Sequence, residues 1–263
     1  VKHSAPLSTG KHDMDIQAIL KEIQDEVTPL FGKGRVADYI PALAQVPGNQ
    51  FGMVVRTVEG SEYSVGAADK AFSIQSISKL FTLMQILGIG PEDIWRRVGR
   101  EPSGSAFNSL VQLEHEMGIP RNPFINAGAL VITDMITSCS ADAGRRIGDF
   151  YRALSGNPAN RVDEAVARSE AEHGYRNAAL ANFMASFGNI ESPVPALLNA
   201  YFRQCALTTS CRDLARAALP LIQGGHSDVT GQQMLDRRDA KRINALLLTC
   251  GMYDAVGSFA YAV

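Results

Sequence analysis

The sequence predicts a mixed α/β fold of the α+β kind, in which short antiparallel strands frame a long helical middle. Three observations carry that prediction. Two β-favouring runs, Phe51 to Thr57 and Glu62 to Val65, are separated by Val58-Glu59-Gly60-Ser61 and read as a hairpin. From Ser73 to about Leu221 nearly every segment has helical periodicity. The last residues, Ser258 to Val263, return to a β-favouring pattern.

Taken in order, residues 1–13 are polar and carry no apolar core of the kind a signal peptide needs, so they read as a cloning remnant or a disordered tail. From Met14 to Phe31, Ile16, Ile19, Leu20, Ile23, Val27 and Leu30 recur at helical spacing, and Gly32 and Gly34 end the pattern. Gly66 leaves the hairpin toward Ser76. The helical middle is broken around Gly88 to Pro91, Gly118 to Pro123, Ser155 to Asn160 and Gly188 to Pro195. A hairpin plus one terminal fragment makes a poor sheet, because an independently stable one needs three or more strands covering a face, so further C-terminal strands are expected beyond Val263. The expected organisation is one two-lobed domain over 14–263. In it, 14–75 and about 225–263 form the sheet lobe, and about 76–224 the helical lobe.

At 263 residues the chain can bury a substantial core. Apolar residues at 46% and charged residues at 20% suit a soluble globular protein, and a formal net charge of -2 offers no field for polyanions. Nucleic acid is not an expected partner, and no apolar run has the length of a membrane span. Cys139, Cys205, Cys211 and Cys250 lack C-x-x-C or zinc spacing, so neither a metal site nor a disulfide framework is expected and a reducing, cytoplasmic setting is. His115, His173 and His226 are isolated and read as surface residues. With no P-loop, dinucleotide fingerprint or H-E-x-x-H, no cofactor is expected.

The chemistry-bearing signal is Phe72-Ser73-Ile74-Gln75-Ser76-Ile77-Ser78-Lys79-Leu80-Phe81, which places Ser76 and Lys79 three residues apart, on one face of a helix. A lysine desolvated among Phe72, Ile77, Leu80 and Phe81 has its neutral form favoured and can accept the serine proton, while a helix N-terminus offers amides to an oxyanion. Spacing alone is weak: Ser8 to Lys11 repeats it, and an ordinary helix start with a capping serine explains it at least as well.

Five separated motifs change the weighting: QSISKLF, NPFINAGAL at 122–130, SEAEHGYRNAALA at 169–181, YFRQCALTTSC at 201–211 and CGMYDAVGSFAY at 250–261. Together and in this order they resemble the serine-dependent bacterial glutaminases. The resemblance implies a β-lactamase-like fold, an antiparallel sheet with flanking helices plus an inserted all-helical lobe, and hydrolysis of L-glutamine to L-glutamate and ammonia. It implies Ser76 as the nucleophile, Lys79 as its base and Tyr253 as a proton shuttle beside them. It further implies that Tyr39, Asn126, Glu170, Asn177 and Tyr201, with Ser76 and Tyr253, bind the substrate, and that the protein is a homodimer or homotetramer. These residue types suit a zwitterionic ligand, since a free α-ammonium wants a carboxylate such as Glu170 and an α-carboxylate wants the neutral donors of Asn and Tyr. Each has a plainer reading in isolation, Asn126 as a turn residue, Asn177 as a helix-surface residue, Glu170 as part of a solvated face with Glu164, Arg168 and Glu172, and the tyrosines as half-buried core aromatics.

Two departures from the family pattern stand out. Tyr175 occupies a position where the family usually has Asp, and the family's Lys-Ser-Gly-Val-Gly-Gly-like strand, which completes the oxyanion hole, has no counterpart before Val263. Two rival readings remain on sequence: a β-lactamase or D,D-peptidase, which also uses Ser-x-x-Lys, and a silent sensor of glutamine or glutamate.

Overall fold

The computed structural model describes residues 14–90 and 93–263, so the tail expected at 1–13 lies outside the described residues. The first amphipathic segment forms α1 (Ile16–Val27), started by the Asp15 side chain accepting the Ala18 N–H at 2.9 Å and prolonged by a 3-10 turn to Leu30. After the short α2 (Pro41–Ala44) the hairpin forms where the two β-favouring runs predict it. Strand β1 (Gly52–Arg56) pairs antiparallel with β2 (Glu62–Gly66), Met53 opposite Val65 and Val55 opposite Tyr63.

Strand β3 (Phe72–Ser73) then leads through a 3-10 turn, Gln75–Ile77, into α3 (Ser78–Ile89). The helical middle follows as α4 (Ile94–Arg97), α5 (Val111–His115), α6 (Asn126–Ser138), α7 (Ala143–Ser155), α8 (Glu164–His173), α9 (Tyr175–Ser186) and α10 (Val194–Cys205). Breakers 118–123, 155–160 and 188–195 fall at the joints between these helices. Strand β4 (Thr208–Thr209) returns to pair with β3, Phe72 opposite Thr209. The chain continues through α11 (Cys211–Ala217), a small ladder of β5 (His226–Ser227) and β6 (Gln232–Gln233), α12 (Arg237–Cys250), a 3-10 turn at Tyr253–Ala255 and α13 (Val256–Ala262).

The α/β class is as the sequence predicts, with antiparallel pairing in three separate two-stranded ladders among the described residues. One element differs: Ser258 to Val263, expected as a strand, belongs to α13. A strand needs a partner for its N–H and C=O groups, whereas a helix satisfies its own, and Phe259 and Tyr261 on this segment are exposed rather than packed against a sheet. No single helix among the described residues is long and apolar enough to cross a membrane.

The core is organised around α6, buried without interruption from Ala127 to Ile136 and packed by α3, α9 and α10. A helix apolar on every side belongs at the centre. Gly128 permits its placement: a Cβ there would lie 1.9 Å from the Asn122 carbonyl oxygen, so α6 starts flush against the Asn122-Pro123 turn. Polar cross-links fix the register. The buried Gln204 of α10 donates to Ser78 Oγ of α3 at 3.1 Å, and its Oε1 meets Thr133 Oγ1 of α6 at 2.8 Å.

Farther along α6 the fully buried Asp134 holds Arg97 at 2.5 Å and accepts the backbone N–H groups of Glu191 and Ser192. Breaking a buried pair from one side leaves a stranded charge. Asp134→Ala is therefore expected to destabilise the fold by about 3 kcal/mol, the lower end of the usual range because Glu191 also reaches Arg97 at 3.2 Å. Denaturant unfolding midpoints measure it, and an unchanged midpoint would refute it.

Candidate active site

Ser76 sits at the mouth of α3, in the 3-10 turn Gln75–Ile77, with its side chain exposed, while Lys79 one turn later is 1% exposed. Gln75 just before it has φ of 50°, a left-handed conformation that costs a non-glycine residue on the order of 1 kcal/mol or more. Its side chain braces the turn: Oε1 accepts the Tyr39 hydroxyl at 2.8 Å, and Nε2 donates to Ser73 Oγ at 3.2 Å. Tyr253, in the 3-10 turn after α12, has φ of 53°. Two strained residues thus flank the serine, which is where such strain collects in functional sites.

The segment Asn122 to Gly128 builds the surroundings of Lys79. Asn122 Oδ1 accepts the N–H groups of Phe124 and Ile125 at 3.0 and 3.1 Å, forming a side-chain-closed turn. That turn presents the Phe124 carbonyl to Lys79 Nζ at 3.0 Å, and Asn126, the first residue of α6, offers Oδ1 to the same nitrogen at 2.7 Å. The Tyr253 hydroxyl is the remaining neighbour, at 3.4 Å. Burial pushes the Lys79 amine from its ordinary 10.5 down to about 8, the Cys205 thiol opposing slightly. A shift of that size is roughly 3 kcal/mol of preference for the neutral form. In its neutral form the amine has two N–H bonds, enough for the two carbonyl oxygens, and one lone pair, which would remain for the Tyr253 hydroxyl.

This arrangement amends the sequence reading in two respects. Ser76 is not among the hydrogen-bond partners of Lys79, whereas the Tyr253 hydroxyl is, and burial raises that phenol's pKa against the lowering influence of the Ser76 hydroxyl. Of the four apolar residues expected to surround Lys79, Phe72 and Ile77 are exposed, Phe81 packs on Tyr151 and Leu80 is partly buried against the main core. The rings of Tyr253 and Phe107 lie over the amine, with centroids 5.2 and 5.9 Å from Nζ.

Opposite lies Glu170, 4% exposed although Glu164, Arg168 and Glu172 on the same helix are exposed, so it is no part of a solvated face. Its only direct hydrogen bond among the described residues is the Tyr39 hydroxyl at 3.3 Å, and no cation pairs with it. Burial raises its pKa, against the lowering influence of Tyr39 and Gln75. A buried carboxylate without a cation is costly to keep charged, and a cationic ligand relieves it. Ile40, buried between Val166, Ala167 and Ala206, anchors the segment that presents the exposed Tyr39. Gly174 joins α8 to α9 where a Cβ would lie 2.3 Å from the Phe202 ring, and this tight joint brings Asn177 over the same cavity. Asn126 Nδ2 donates to Asn177 Oδ1 at 2.9 Å, which engages the Asn177 oxygen and not its Nδ2 donors. Tyr201 and Cys205, four residues apart on α10, line the inner wall, and burial pushes the thiol up to about 12.

A cavity of about 400 Å³ gathers Tyr39, Ser76, Asn126, Glu170, Asn177 and Tyr201, and Tyr253 is linked to it through Lys79, which neighbours both the Asn126 side chain and the Tyr253 hydroxyl. A larger groove of about 980 Å³ near α7, α8 and α10 contains none of these residues. The cavity also takes in Gln75, Phe107, Asn108, His173, Arg176 and Cys205, none singled out from sequence. Gln75, His173, Arg176 and Cys205 lie inside the five motifs, a signal that finds them; Phe107 and Asn108 lie in a loop without periodicity. His173, read as a surface residue, is exposed at the rim of this cavity.

A glutaminase family model matches residues 34–263. The chain belongs to the glutaminase family. A glutaminase of Rhizobium leguminosarum bv. trifolii is 54% identical over 252 residues, spanning 95% of this chain and 81% of that protein. Among solved structures, a probable glutaminase of Bacillus subtilis superposes with a TM-score of 0.83 at 32% identity, covering 93% of this chain and 76% of that one. The Bacillus subtilis probable glutaminase complexed with 6-diazo-5-oxo-L-norleucine gives a TM-score of 0.82 at 30% identity over 99% of this chain and 79% of that one.

Proposed function

We propose that this glutaminase-family protein hydrolyses L-glutamine to L-glutamate and ammonia through a glutamyl ester on Ser76. The observation that carries the reading is a buried carboxylate with no cationic partner among the described residues, Glu170, facing the same cavity as an exposed serine backed by a buried amine. Glu170 takes the α-ammonium, with the Tyr39 hydroxyl bridging it to Gln75. The Nδ2 of Asn177 and the Tyr201 hydroxyl serve the α-carboxylate. Gripping both charges selects a free amino acid over a glutamine within a peptide.

With the side-chain carboxamide at Ser76, the hydroxyl proton passes to Tyr253 as the Tyr253 proton passes to the Lys79 amine, while Oγ attacks the amide carbon. The tetrahedral intermediate collapses as the proton returns by the same path to the departing nitrogen, releasing ammonia. Water then enters, gives a proton to the relay and cleaves the ester, freeing glutamate and restoring Ser76. Incubating the protein with glutamine and assaying ammonia and glutamate tests the reading: equimolar products are expected, and binding without turnover would make the protein a sensor. The diazoketone 6-diazo-5-oxo-L-norleucine, an electrophilic glutamine analogue complexed by the Bacillus subtilis relative, is expected to enter the same cavity.

Glu170→Gln keeps the shape and removes the charge. It is expected to raise KM for glutamine about 10- to 100-fold, the worth of a charge-assisted bond, with a smaller change in kcat. An unchanged KM would remove Glu170 from the ammonium site. We infer a reducing, cytoplasmic setting, which suits four free cysteines including the exposed Cys139.

A further inference from the structure

Phe107 touches three parts of this machinery at once. Its ring packs on Tyr253 with centroids 5.2 Å apart and planes 36° from parallel, and it stands 5.9 Å from Lys79 Nζ. Its carbonyl accepts the N–H of Asn126 at 2.8 Å, satisfying the uncapped start of α6, and Asn126 in turn holds the lysine. Phe107 is also 40% exposed whereas Lys79 is 1% exposed, so its ring has solvent on one side and the Tyr253-Lys79 pair on the other.

We propose that Phe107 is a positioning residue for the reaction: its ring steadies Tyr253 and shuts water away from the Lys79 amine, and so sets the pH range in which that amine accepts a proton. The proposal rests on the reading of Lys79 as the base. The polar and titratable groups facing the amine are the Tyr253 phenol from the turn after α12, the Phe124 carbonyl and Asn126 Oδ1 from the α6 side, and the Cys205 thiol from α10. None is a carboxylate, so no anion bonded to the amine holds it protonated, and dryness is what favours the neutral form. An aromatic face attracts an ammonium and acts in the opposite sense, but at 5.9 Å the Phe107 ring is at the limit of that attraction. The net downward shift at Lys79, with burial as its largest cause, agrees with dryness prevailing.

Phe107→Ala removes the ring and keeps the carbonyl that anchors the loop to Asn126. Readmitted water favours the ammonium, so the rising limb of kcat/KM against pH is expected to move alkaline by about one unit, lowering the rate about tenfold near neutrality and much less at high pH. Phe107→Tyr, which keeps the ring, is expected to restore the limb. Should the alanine variant not fold, as read by thermal unfolding, Phe107→Gln keeps bulk while bringing a hydrated group to the amine, and the same alkaline shift is expected. A loss by one constant factor at every pH, or no change, would overturn the proposal. Lys79→Met separates the two levels: if that variant keeps the wild-type limb, the reading of Lys79 as base has failed. If it is inactive while the limb of Phe107→Ala stays in place, only the role of Phe107 has.

Discussion

Ser76→Ala is expected to lower glutamine hydrolysis by at least about 10³-fold while glutamate still binds. The asymmetry follows from the geometry. Ser76 lies at the exposed rim of a turn and packs against nothing in the core, so removing its hydroxyl leaves Glu170, Asn177 and Tyr39 in place. Binding draws on the charged end of the amino acid, whereas turnover needs the oxygen that becomes an ester. Steady-state kinetics beside calorimetric titration with glutamate separate the two. Retained turnover would reject the nucleophile, and lost glutamate binding would place Ser76 in the ground-state grip instead.

Lys79→Met is the second large effect. Methionine fills the buried channel of the lysine stem without the amine, so the fold is expected to survive with the Phe124 carbonyl and Asn126 Oδ1 short of a donor. Without a proton acceptor the rate is expected to fall about 10²- to 10⁴-fold. The pH dependence carries a sign that can be worked out. The amine is pushed down to about 8, and it accepts a proton only when neutral, so kcat/KM of the wild type rises as pH increases through about 8. That limb is expected to vanish in Lys79→Met. If it persists, another group owns it.

Much of the fold is legible in the sequence because local patterns and tertiary packing agree. The apolar spacing from Ile16 to Leu30 becomes α1 and its 3-10 extension, and the two β-favouring runs either side of Gly60 become a hairpin in the expected place. The terminal segment departs from expectation because Phe, Tyr and Val favour strands only where a neighbouring strand accepts them. At the site, the five motifs carry every residue expected to bind or react except Tyr39, and the structure gathers Tyr39, Ser76, Asn126, Glu170, Asn177 and Tyr201 around one cavity, with Lys79 bonded to Asn126 and next to Tyr253. Sequence does not reveal how Lys79 is dried. The rings that lie over the amine arrive from Phe107 and Tyr253, one on a loop without periodicity and the other 174 positions away. Nor is left-handed backbone at Gln75 and Tyr253 written in residue types that ordinarily avoid it.

The most direct test of the ester-forming serine is covalent labelling. The protein is treated with 6-diazo-5-oxo-L-norleucine, digested, and its adduct located by mass spectrometry. A single adduct on the peptide carrying Ser76, absent from Ser76→Ala and prevented by excess glutamate, is predicted. An adduct on Lys79, Tyr253 or Cys205 with Ser76 unmodified would contradict it.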